Sequence, residues 1–74
     1  MSIKLNIIVD SEEYKLQRII ATSNDQDTLF MVKENADKTY TVLHENTQEI
    51  ITVKKKEYIE DGIFTLLRTA GGIF

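Results

Sequence analysis

The chain has 74 residues, 42% of them hydrophobic and 28% charged, with no cysteine and no proline. That length admits one hydrophobic core and not two, and the apolar fraction excludes a disordered tail, so residues 1–74 are expected to form a single compact domain. Nine Lys and Arg against twelve Asp and Glu give a formal net charge of −3, which argues against a general nucleic-acid coating protein.

Zero cysteine removes thiolate nucleophiles, zinc knuckles and disulfides together, and suits a reducing compartment, so a cytoplasmic location is the expectation. In Met1 to Asp10 the apolar residues are interrupted by Lys4 and Asn6 and end on an aspartate, which is not the core of a signal peptide. Nothing in the apolar runs is long enough to span a bilayer, so no membrane partner is expected. A chain this small buries only ~60% of the surface its unfolded form exposes. Packing, or a partner such as a second copy in a homodimer, must therefore supply its stability.

In chain order, Ile3, Leu5, Ile7 and Val9 alternate with Lys4, Asn6 and Ile8, which predicts a strand over 3–9 with those four residues on one face. Residues 10–22 admit two readings. A helix would open with an Asp10-x-x-Glu13 capping box and gather Leu16, Ile19 and Ile20 on one side. A strand would follow a turn at 10–13 and set Tyr14, Leu16 and Ile20 against Lys15, Gln17, Ile19 and Ala21, at the expense of Arg18 on the apolar face. The helical stripe is narrow, so the strand is preferred. Residues 22–27, all polar and rich in turn formers, read as a loop and as the longest candidate binding loop.

The β-rich runs 28–33 and 39–44 flank a polar connection at 34–38, which predicts a hairpin. A third run at 50–54, after 45–49, extends it into an antiparallel meander. Phe30, Val32, Tyr40, Val42, Ile51 and Val53 then share one face, and Leu29, Met31, Leu43 and Ile50 the other, so neither face is wholly polar and the second also invites a cover. Across 55–70, Ile59, Ile63, Leu66 and Ala70 form one helical stripe that stops at Gly71 and Gly72. Gly62 opposes it, costing about 1 kcal/mol inside a helix and offering an Asp61-Gly62 turn instead. The sum is an α+β fold: an antiparallel sheet of four to five strands packed by one C-terminal helix.

Chemistry is sparse. His44 is the single imidazole, and its phase with Tyr40 and Val42 suggests a half-buried or edge side chain rather than a base. Ser2, Ser11 and Ser23 lack a nucleophile-elbow context. The carboxylate pairs Glu12/Glu13, Asp25/Asp27 and Glu60/Asp61 read as solvated charge, and Asn24 to Asp27 lacks the calcium-loop spacing. Three glycines at 62, 71 and 72 cannot cradle a phosphate. No catalytic residue, metal site or cofactor is therefore expected.

Two segments suggest binding. Ile73 and Phe74, large apolar residues after a glycine pair, either complete the core or anchor a protein partner. Lys54, Lys55 and Lys56 with Tyr58 could contact nucleic acid in the manner of small β-barrels of the SH3-like or OB-like kind, although Glu57, Glu60 and Asp61 cancel most of that field. The expected function is a noncatalytic protein-binding or regulatory module, with nucleic-acid binding as the alternative. An Ile-, Lys- and Asn-rich usage points to a bacterial or phage source. The size and acidity resemble accessory proteins of prophages that occlude a surface on a host protein.

Overall fold

The computed structural model describes residues 2–69. Five strands, β1 (Lys4–Ser11), β2 (Leu16–Ser23), β3 (Gln26–Glu34), β4 (Tyr40–His44) and β5 (Ile50–Val53), precede a 3-10 turn at Lys56–Tyr58 and one helix, α1 (Ile59–Thr69). The strands lie side by side in chain order, every neighbouring pair antiparallel. This is the α+β meander with a C-terminal helix that the patterning implies, with all five strands realised.

The register makes two faces. On the inner face Ile19, Ala21, Phe30, Val32 and Val42 are buried and meet Ile59, Ile63, Leu66 and Leu67 of α1. Tyr40, Ile51 and Val53 pack against this core, so the six residues assigned to one face of the meander all turn toward the helix. Burying the Ile, Val, Leu and Phe side chains of this core supplies roughly 1.5–3 kcal/mol each, and the sheet and helix stand or fall together on that contact.

Three local expectations are corrected. In β1, Ile7 pairs with Ile19 but Val9 pairs with Arg18, because a bulge at Ile8 inserts one extra residue. Beyond it Val9 leaves the face shared by Leu5 and Ile7. In β2 the core face is Gln17, Ile19, Ala21 and Ser23, not Leu16, Arg18 and Ile20. Both faces of that strand carry apolar residues, and pairing of Ile19 with Phe30 decides which turns inward. Tyr14 sits in the β1–β2 turn and is 70% exposed. That turn falls at 12–15, two residues later than expected, closed by the Tyr14 N–H donating to Ser11 Oγ at 3.2 Å and by Lys15 at φ 53°.

The third correction removes the polar loop at 22–27. Asn24 and Asp25 both take left-handed φ, 52° and 62°, and reverse the chain in two residues, as the tight hairpin turns that match strand twist require. Thr22 and Asp27 face each other across the ladder, the Thr22 hydroxyl donating to Asp27 Oδ1 at 2.7 Å. No loop is left there to bind anything.

The 3-10 turn, entered from an extended Lys55 that offers no side-chain cap, runs straight into the helix at Ile59, which has Glu60 and Asp61 in its first turn and Arg68 in its last, as the dipole prefers. Its buried stripe is Ile59, Gly62, Ile63, Leu66 and Leu67. Gly62 is therefore a contact residue: a Cβ there would lie 3.3 Å from both Ile51 Cγ2 and Val53 Cγ1. The glycine lets α1 settle closely on β4 and β5. Ala70 and the glycine stop at Gly71 and Gly72 lie outside the described residues.

Candidate functional site

Where α1 sits determines what stays uncovered. At ~4.8 Å between strands, five strands span ~19 Å from first axis to last, whereas a helix with its side chains is ~10–12 Å across. One helix covers about half of such a sheet. α1 contacts β4 and β5 and Ile19 and Ala21 of β2 are buried with it, so the part of the inner face left open is that of β1, around Ile7.

The result is a trough between β1 and the start of α1. Its apolar half, about 320 Å³, lies among Leu5, Ile7, Ile19, Ile59 and Ile63. Its second half, about 310 Å³, continues past Leu16, Val32 and Tyr40 under the β1–β2 turn. Gln17, Lys56 and Ile59 line both halves. Ile7 stands 58% exposed beside it, flanked along the edge strand by exposed Ile8 and Val9.

The outer face of the sheet is also mixed. Val9, Arg18, Met31, Leu43 and Ile50 form one row across all five strands, with Ile50 62% exposed at the far edge. Arg18 interrupts this row and reaches Glu45 through Nε to Oε2 at 3.2 Å and Nη2 to Oε1 at 3.1 Å. A charged pair in the middle of an open apolar face keeps it wetted and discourages stacking.

Lys54, Lys55 and Lys56 are exposed on the connection into α1, and Tyr58 is 43% exposed beside them. The lysines do not stand alone, since Lys56 shares the trough wall with Glu57 and Glu60. Ile73 and Phe74, the residues weighed as core or anchor, lie outside the described residues.

His44 is more deeply placed than the half-buried or edge position expected of it. It is 5% exposed, its ring meets Phe30 edge-on with centroids 5.2 Å apart, and Nδ1 accepts the Thr47 N–H at 3.3 Å. The imidazole thus closes the β4–β5 connection from inside the core. Ser23 Oγ is buried without a hydrogen-bond partner among the described residues. Among those residues no group of three or more His, Cys, Asp or Glu converges as a metal site, and no helix is long and apolar enough to cross a membrane.

No protein-family model, curated protein or solved structure matches the chain. The trough therefore rests on its own geometry. Its residues escaped the sequence reading because alternation marks which face of a strand is apolar but not whether the helix reaches it. The available signal was arithmetic: a single helical stripe set against as many as five strands.

Proposed function

We propose that this chain is a small noncatalytic protein-binding or regulatory module, and that its contact surface is the trough over β1 and β2. The observation that carries the reading is the apolar inner face left beside α1, with Ile7 58% exposed on the edge strand. A staple-free chain of 74 residues gains stability by covering such a surface. The buried, internally bonded imidazole favours binding over catalysis, since a general base must reach a substrate proton. A cytoplasmic setting and a bacterial or phage accessory role that occludes a host protein belong to the same proposal, on the cysteine-free composition and residue usage.

The test compares wild type with Ile7→Asp, each verified by thermal melt, as immobilised bait in a lysate of the source cell. A protein retained by wild type and lost from Ile7→Asp supports the reading. Retention of nucleic acid instead, abolished by Lys54→Glu with Lys55→Glu and Lys56→Glu, would replace it with the alternative.

A further inference from the structure

We infer that the trough receives an amphipathic helix of a protein partner, about four turns long, whose apolar stripe is flanked by lysine or arginine. This rests on the protein-binding reading above and specifies its partner.

Shape comes first. Packed helices stand ~8–10 Å apart, which equals about two strand spacings. A helix laid beside α1 on the β1 side would have Leu5 and Ile7 as its floor and the Ile59 and Ile63 side of α1 as its wall. The span of β1 from Leu5 to Ser11 is ~20 Å at ~3.3 Å per residue, the length of a helix of ~13 residues. The incoming helix would cover the inner face of β1, which the chain's own helix leaves open.

An extended segment adding to β1 is the competing occupant, and the edge is built against it. The bulge at Ile8 breaks the regular spacing of backbone donors and acceptors that a new strand would need. Asp10, in register with inward-facing Gln17, sets a carboxylate on the side where the added strand would seek apolar cover. Bulges and inward charges are the devices that stop edge pairing.

Charge then selects the kind of helix. Asp10, Glu12, Glu34, Glu57 and Glu60 line the two halves of the trough, against Lys15 and Lys56, a local formal charge of −3. The whole chain also carries −3, from twelve acidic and nine basic residues. Everything outside the trough lining therefore holds seven charges of each sign; within it the apolar half has Glu57 and Glu60 against Lys56, and the second half adds Asp10, Glu12 and Glu34, the last also paired with Lys38 at 3.5 Å. An apolar groove rimmed with carboxylates attracts a basic amphipathic helix and repels an acidic one, and it repels nucleic acid for the same reason.

The experiment titrates the full chain, followed by amide NMR shifts, with two designed peptides of ~14 residues that share a leucine stripe at helical spacing. One carries lysine on its flanks, the other glutamate. The expected result is saturable binding of the lysine peptide, with shifts concentrated at Leu5, Ile7, Ile19 and Ile59, weakening about tenfold between ~50 and ~500 mM salt. Glu57→Lys with Glu60→Lys, both exposed positions, should reverse the preference between the peptides. Equal binding of the two peptides, binding of neither, or shifts centred on the outer face would overturn the inference, as would concentration-dependent shifts at Ile7 without peptide, which would make a second copy the occupant. If the peptides fail while Ile7→Asp still loses a captured protein, the protein-binding reading survives and the helix is the wrong partner.

Discussion

Replacing Gly62 with alanine sets two terms of opposite sign against each other at one atom. Alanine is favoured over glycine in a helix interior by about 1 kcal/mol. The new Cβ, however, would lie 3.3 Å from Ile51 Cγ2, 3.3 Å from Val53 Cγ1 and 3.6 Å from Val42 Cγ2, whereas carbon pairs prefer ~3.5–4.0 Å. Ile51 and Val53 are β-branched and stiff at χ1, so their methyls cannot swing aside, and relief requires α1 to rise from the sheet. Overpacking of this kind costs ~1–3 kcal/mol. Setting ~2 against ~1, Gly62→Ala should destabilise by about 1 kcal/mol, lowering the urea midpoint by ~1 M for a small domain with m near ~1 kcal/mol/M. In a Val53→Ala background one of the two crowding methyls is gone, and the same substitution should become neutral or stabilising. A rise in the wild-type midpoint, or equal shifts in both backgrounds, would refute the claim that close approach and not chance places glycine in this helix.

Three further outcomes follow from the same geometry. Asp25→Gly should raise stability by roughly 0.5–1 kcal/mol in urea melts, because Asp25 already holds φ 62° and glycine adopts it without steric cost; a loss of stability would contradict the two-residue turn. Arg18→Leu should leave stability within about 1 kcal/mol, since the part-exposed pair with Glu45 is worth little, yet it joins Val9, Met31, Leu43 and Ile50 into one apolar row, so sedimentation should reveal self-association that wild type lacks. Hydrogen bonds from the Thr39 hydroxyl and then from its backbone N–H hold the Asp37 carboxyl below its ordinary value of 3.8. A lowered folded value means that its stabilising contribution is complete above that ordinary value and is lost as pH falls through the folded one. Thr39→Val should move the Asp37 NMR titration midpoint upward, and an unchanged midpoint would show that the hydroxyl is not the cause.

How much of this was legible in the residues depends on whether the deciding contact is local. The β3–β4 hairpin and the meander were legible because the β-rich runs 28–33, 39–44 and 50–54 are separated by short polar connections, and pairing such strands needs only a short turn. The inward face of β2 was not, since Leu16 and Ile20 compete with Ile19 and Ala21 for the core and only the register with β3 separates them. The bulge at Ile8 was hidden for a related reason: Ile7, Ile8 and Val9 are all apolar, so no polar residue marks where the phase changes. The 22–27 segment was misread as a loop because Asn24 and Asp25 are turn formers whose polar neighbours occur equally in ladders. What distinguishes the cases is left-handed φ at both central residues, which composition does not display.

Gly62 links these observations to the proposed surface. By propensity it reads as a defect in α1 or as the corner of a hairpin; in place it lets the helix sit against Val42, Ile51 and Val53. The same close seat sets the height of the wall that Ile59 and Ile63 present to the trough. A bulkier residue at 62 would lift α1, loosen the wall made by Ile59 and Ile63, and widen the trough. Gly62→Ala should thus weaken the lysine-flanked peptide as well as the fold, whereas Asp25→Gly, far from that wall in the β2–β3 turn, should change stability and leave peptide affinity alone. Equal affinity in both variants, measured where each is fully folded, would separate the seat of the helix from the proposed site and remove the physical connection between them.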